Sequence, residues 1–230
     1  MSRQQSIQAQ INRAKDILPK IEREYNNSLH TQNIEENLKL DIQSFCGHLR
    51  SALDYLANDI VEKYCPNAKN GDRLYFPITD NDSSFKQRMI DSYPNLQTNC
   101  PDIYVLLESV QPYLKSENKW LSQFNKINNE NKHSDLVEQV RTETNQVNVT
   151  SPNGGSVSWG PGVTFGAGVQ IMGVPVDPRT QLPVPNNIIK TEIITWVDFK
   201  FYNVDVSALW LLKESLKQIV NINSQIINFL

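Results

Sequence analysis

The chain has 230 residues, with 22 Lys and Arg against 25 Asp and Glu for a formal net charge of -3, a balance without the basic excess of a nonspecific nucleic-acid binder. Cys46, Cys65 and Cys100 are scattered and odd in number, with no CxxC pair, which argues against a disulfide framework or a structural zinc site and for a reducing compartment. The N-terminus carries no apolar signal core and no run of about 18 apolar residues occurs, so the sequence predicts a cytoplasmic protein that is neither secreted nor membrane-spanning.

In chain order, Ile7, Ile11, Ala14, Leu18, Ile21 and Tyr25 step by four and three, which places them on one face of a helix near 3–28. Pro19 removes a backbone donor inside that pattern, so either the helix kinks there, the favoured reading, or two segments meet with Asp16 near the second start. The same spacing returns at Leu38, Ile42, Phe45, Leu49, Leu53, Leu56, Ile60 and Tyr64, giving a helix over 35–64 that stops where Pro66 biases Cys65 away from helical geometry. A polar turn, NAKNGDR, leads to an extended LYFPI. Short helices follow around Phe85–Met89 and Ile103–Val110, then one from about Glu117 to His133.

Near residue 135 the pattern changes. EQVRTETNQVNVT alternates as a strand does, SPNGGS reads as a turn, and VSW, VTF, VQI and VPV continue as short strands punctuated by Gly and Pro. After a proline-rich loop, Ile188–Tyr202 is the strongest strand, rich in β-branched and aromatic residues. Four strands or so are expected. Leu209, Leu212, Leu216, Ile219, Asn223 and Ile226 then restore a helical stripe over 205–228, with Ser207 or Asp205 as the N-terminal cap. The expected fold class is α+β: a single domain over 1–230, mainly a helical bundle (1–134) with an antiparallel sheet inserted at 135–203 before a C-terminal helix (204–230). Two subdomains split near 135 are the alternative.

Two constellations are candidates for chemistry. Arg50 and Asp54 lie four apart on one helical face beside an apolar ridge, as a structural ion pair would or as an anion-binding guanidinium oriented by a carboxylate would. In NNENKH at 128–133, Asn129 and His133 are again four apart with Lys132 adjacent, which presents an amide and an imidazole together beside a phosphate-holding cation. The competing account is a polar helix end whose Lys and His satisfy free carbonyls. His30 and His48 make no metal-ligand spacing with His133, and no HExxH, GxSxG, GxGxxG or GxxxxGK[ST] signature occurs, so neither metal nor cofactor is expected. Trp159 and Phe165 either line a groove or pack the core of the sheet.

The order LRSALDYLA (49–57), FPI (76–78), QPY (111–113) and NKH (131–133), followed by a strand-rich segment and a terminal helix, resembles an uncharacterised family of bacterial cytosolic proteins and spans most of the chain. That family is similar to the HEPN class of helical domains found in toxins and defence nucleases, where an arginine, a polar residue and a histidine at Rx4–6H spacing cleave RNA across a dimer. Asn128 stands where the arginine would fall, Asn129 matches the polar position and His133 the histidine; Arg50 from the preceding helix is the candidate substitute cation. The resemblance implies an RNA- or nucleotide-binding homodimer, a metal-independent ribonuclease in a toxin or defence setting. In that mechanism His133 is the acid or base, Arg50 and Lys132 hold phosphate charge, and Asn129 orients the substrate, with Asp54 behind Arg50. A noncatalytic interaction or sensor protein with a partner protein, whose polar motifs are structural and whose sheet offers a binding edge, is the other expectation.

Overall fold

A computed structural model describes residues 2–31, 35–68, 74–133, 139–201, 204 and 206–230, with side chains at 29–31, 131–133, 139–141 and 194–197 left aside. The class is α+β, and the chain divides into two compact units, 1–140 with 199–230, and 141–198.

The first unit is helical. Helix α1 (Arg3–Thr31) and helix α2 (Glu36–Tyr64) each run 29 residues. They pack against each other and against α7 (Ala208–Ile226), while α6 (Lys119–His133) packs against α2 and α7. The apolar stripes explain these contacts, since an isolated helix of this polarity is marginal in water and is stabilised mainly by the face it buries. Ile7, Ile11, Ala14 and Ile21 of α1, Leu38 through Ile60 of the α2 stripe, and Leu212, Ile219 and Ile226 of α7 are all buried in one continuous core. The helix continues through Pro19 as one element. Cys65 ends α2 with φ −124°, its N–H still bonded to the Val61 carbonyl, as a residue before proline should.

Between α2 and α6 lie α3 (Asp82–Ser92), α4 (Leu96–Asn99) and α5 (Pro101–Ser109). Asn81 caps α3 by accepting from the Ser84 N–H at 2.8 Å. Helix α4 is absent from the sequence reading because four residues are too short to show a period. Asn95, at φ 64°, makes the left-handed turn that separates it from α3. At the other end of the unit Ser207 caps α7 through the Trp210 N–H, whereas Asp205, the competing cap, lies outside the described residues.

The described strands are β1 (Gln139–Thr150), β2 (Ser156–Trp159), β3 (Gln170–Ile171), β4 (Val174–Asp177), β5 (Leu182–Pro183), β6 (Lys190–Phe201) and β7 (Val206–Ser207). In the helical unit the end of β6 pairs with β7 through Lys200↔Ser207 and Phe201↔Val206. The second unit contains β2, β1 and β6 in that spatial order and a small β3-β4-β5 sheet. Its own core is Val149, Trp159, Ile171, Val174, Val176 and Ile189. Trp159 meets Phe165 edge to face at 5.1 Å, so both aromatics serve packing.

VTF at 163–165 is not a strand. The Phe165 N–H donates to the Gln181 side-chain oxygen at 2.6 Å and the Gln181 amide donates back to the Phe165 carbonyl at 3.2 Å. One side-chain amide thus replaces the neighbouring strand that the alternation called for. More and shorter strands form than the four or so expected, because Gly and Pro interrupt the segment every few residues.

Candidate functional site

Arg50 lies in the middle of α2, beside its buried stripe, and is 7 % exposed. Its Nε donates to Asp54 Oδ2 at 3.2 Å and its Nη2 lies 3.0 Å from Oδ1, a two-pronged pair made possible by the i,i+4 spacing. Nη1 donates to Asn125 Oδ1 on α6 at 2.9 Å, and the guanidinium carbon stands 5.6 Å from the Tyr75 ring centroid. Two helices and an extended segment therefore converge on one cation.

The carboxylate is equally engaged. Asp54 Oδ1 also accepts the Phe76 N–H at 3.0 Å. One residue earlier, the Tyr75 carbonyl accepts the Tyr93 hydroxyl at 2.9 Å. Burial holds that hydroxyl's pKa far above the ordinary range, and the nearby Asp54 charge pushes in the same direction. On the far side of the segment Gln111, wholly buried, donates its amide to the Pro77 carbonyl at 3.0 Å and to the Leu107 carbonyl at 2.7 Å. Its oxygen accepts both the Thr79 N–H at 3.0 Å and the Thr79 hydroxyl at 3.1 Å.

The residues of LRSALDYLA, FPI and QPY thus meet in one place. The segment 75–79 runs extended in the helical unit with no strand beside it among the described residues, and four of its main-chain groups, the Phe76 and Thr79 N–H and the Tyr75 and Pro77 carbonyls, are met by Asp54, Gln111 and Tyr93. A buried peptide group left unpaired costs about 1–3 kcal/mol, which is the physical demand these side chains meet.

Helix α6 is described as far as His133. Asn128 is 2 % exposed and faces the core, and its amide nitrogen has no hydrogen-bond partner among the described residues. Asn129, one step round the helix, is exposed. The side chains of Lys132 and His133 lie outside those described, as does that of His30. Eight residues separate Asn125, which Arg50 grips, from His133, a rise of about 12 Å along an α-helix.

The other features are quickly placed. His48 Nδ1 contacts Gln10 Oε1 at 2.6 Å, and burial followed by the Arg13 charge lowers its pKa. All three cysteines are free and buried, and burial pushes the Cys46 thiol up to about 12 and the Cys65 thiol up to about 11. Among the described residues no group of three or more His, Cys, Asp or Glu could hold a metal ion, and no helix is long and apolar enough to cross a membrane. Sequence reasoning singled out Arg50 and Asp54 but missed Tyr93, Gln111 and Asn125. The one sequence signal for Gln111 is the lone Gln of QPY. No family model matches the chain, and no curated protein or solved structure matches it either.

Proposed function

We propose that the chain is a noncatalytic interaction or sensor protein of HEPN-like helical build, in which the recurrent polar motifs hold the fold. The observation that carries this reading is the state of Arg50: buried, paired two-pronged with Asp54, bonded to Asn125 and stacked near Tyr75. A guanidinium that stabilises transferring phosphate must meet solvent-borne substrate, and its donors must point where charge develops. Those of Arg50 point at two protein side chains. Asn128, standing where the arginine of an Rx4–6H motif falls, is likewise turned into packed interior.

A second reading has one observation in its favour. Asn129 is exposed on the outward side of α6, and position 133, four residues on, shares that side of the helix. An RNA- or nucleotide-binding site with His133 as general acid or base, Lys132 as phosphate contact and no need of a metal would be built there.

One experiment separates the two. Wild type and His133→Ala are incubated with single-stranded RNA in excess chelator, and both are melted. The noncatalytic reading expects intact RNA from both proteins. Cleavage by the wild type that disappears in His133→Ala, with an unchanged melting temperature, would overturn it in favour of the second.

A further inference from the structure

Strand β2 is the outer strand of its sheet, with β1 on one side and no strand beyond it among the described residues. Its register with β1 pairs Thr150 with Ser156, Val149 with Val157, Asn148 with Ser158 and Val147 with Trp159. The hairpin closes one step further, where the Ser151 N–H donates to the Gly155 carbonyl at 2.8 Å. Antiparallel pairs alternate between bonded and non-bonded, so counting from Ser151 and Gly155 makes Val157 and Trp159 the bonded positions. The N–H and C=O groups of Ser156 and Ser158 therefore point away from β1, toward the free edge. Residues 156–158 are all exposed.

Apart from its shortness, the edge lacks the devices that keep strands apart. Ser156–Trp159 contains no charge and no proline, and its pairing with β1 is regular without a bulge. On the face that carries the unit's core, Val157 is 43 % exposed while Val149, directly across from it, is wholly buried. The apolar face stops at the edge with one side of Val157 uncovered.

We infer that this edge is a self-association surface, to which a second copy of the chain adds its own β2 antiparallel about a two-fold axis through Val157. In that register Ser156 of one copy exchanges two hydrogen bonds with Ser158 of the other, and Ser158 does the same with Ser156. Val157 faces Val157 as a non-bonded pair, the closer of the two geometries, and each covers the other's open side. The occupant is a second copy because the outward donors and acceptors are self-complementary, the only large side chain between them is apolar, and no charge on the strand opposes a like charge. So short an edge predicts a weak and reversible pair rather than an obligate one. The inference gives the interaction reading a partner, but it stands or falls on mass and cross-linking, whereas that reading falls on RNA cleavage.

The test uses the full chain. Sedimentation equilibrium from tens to hundreds of micromolar should show the wild-type mass rising from one chain toward two. Ser158→Pro removes an outward N–H without touching a bond to β1, and Val157→Lys places a charge at the axis; each should raise the dissociation constant at least about tenfold. Val157→Cys should form a disulfide-linked dimer under mild oxidation, since non-bonded pairs bring Cα atoms to about 4.5 Å, and Ser158→Cys, on the opposite face and off the axis, should not. A wild type that stays monomeric throughout, association unchanged by Val157→Lys, or equal cross-linking of the two cysteine variants would overturn the proposal. Association only with an added extended peptide would overturn the choice of a second copy.

Discussion

Removing Arg50 is the sharpest perturbation of the helical unit. In Arg50→Met the stem is kept in volume, but Asp54 loses two charge-assisted bonds and Asn125 Oδ1 loses its donor. Taking one partner from a buried ion pair costs about 3–5 kcal/mol, because the remaining charge stays desolvated without compensation. Asp54 keeps 18 % of its side chain exposed and still accepts from Phe76, which places the loss at the lower end, about 3 kcal/mol. For a chain of this size that corresponds to a fall of about 6–12 °C in melting temperature, readable by circular dichroism or calorimetry. The double variant Arg50→Met with Asp54→Asn removes both charges while keeping an acceptor for the Phe76 N–H. It should recover about 1–2 kcal/mol relative to the sum of the single losses. If Arg50→Met melts within a degree of the wild type, the cation does not hold the segment at 75–79 and the structural account of the motif is wrong.

Gln111→Ala leaves four polar groups on Pro77, Leu107 and Thr79 without their partner in a wholly buried place, so urea unfolding should show a loss of about 3 kcal/mol or more. Alkaline pH should destabilise the helical unit. The Cys46 thiol, pushed by burial from 9.0 up to about 12, keeps its proton in the folded chain while the unfolded chain loses it. The unfolded state then binds fewer protons, so the stability present below pH 9 falls by about 1.4 kcal/mol per pH unit above it. Tyr93, raised by burial and by Asp54, adds in the same direction at higher pH. A urea midpoint that stays flat between pH 8 and pH 10.5, or a slope that Cys46→Ala does not reduce, would count against this account.

The long helices were legible because their information is periodic. A stripe such as Leu38, Ile42, Phe45, Leu49 specifies both an element and the face it buries, and every one of those residues is in the core. The cap at Ser207 and the stop at Cys65 were legible for the same reason: each is a local chemical rule acting within four residues. Pro19 left a choice in the sequence between a kinked helix and two segments. Its missing bond is one among those of a 29-residue helix whose stripe is buried on both sides of it, so packing carries the helix through as one element. VTF failed in the opposite sense, for its alternation was correct but the partner turned out to be the amide of Gln181, sixteen residues away.

The polar cluster explains why the site itself was only half legible. Arg50 and Asp54 are four apart and announce each other, but Asp54 and Phe76, Gln111 and Thr79, and Arg50 and Asn125 are separated by 22, 32 and 75 residues. No local pattern links such positions; the first two bonds serve the main chain of a segment that lies extended among helices, and the third ties α2 to α6. At the buried residues Phe76, Pro77 and Thr79 a peptide group has little water to meet and no strand beside it among the described residues, so side chains that can reach it from α2 and from the residue before Pro112 are needed. This is also why the same residues look catalytic in a sequence. A buried arginine, a carboxylate four residues away, a tyrosine and a glutamine are what phosphate chemistry uses, and they are equally what an unpaired backbone uses. The two demands differ in where the donors and acceptors point, and here Asp54 Oδ1 and the Gln111 amide meet residues 76–79.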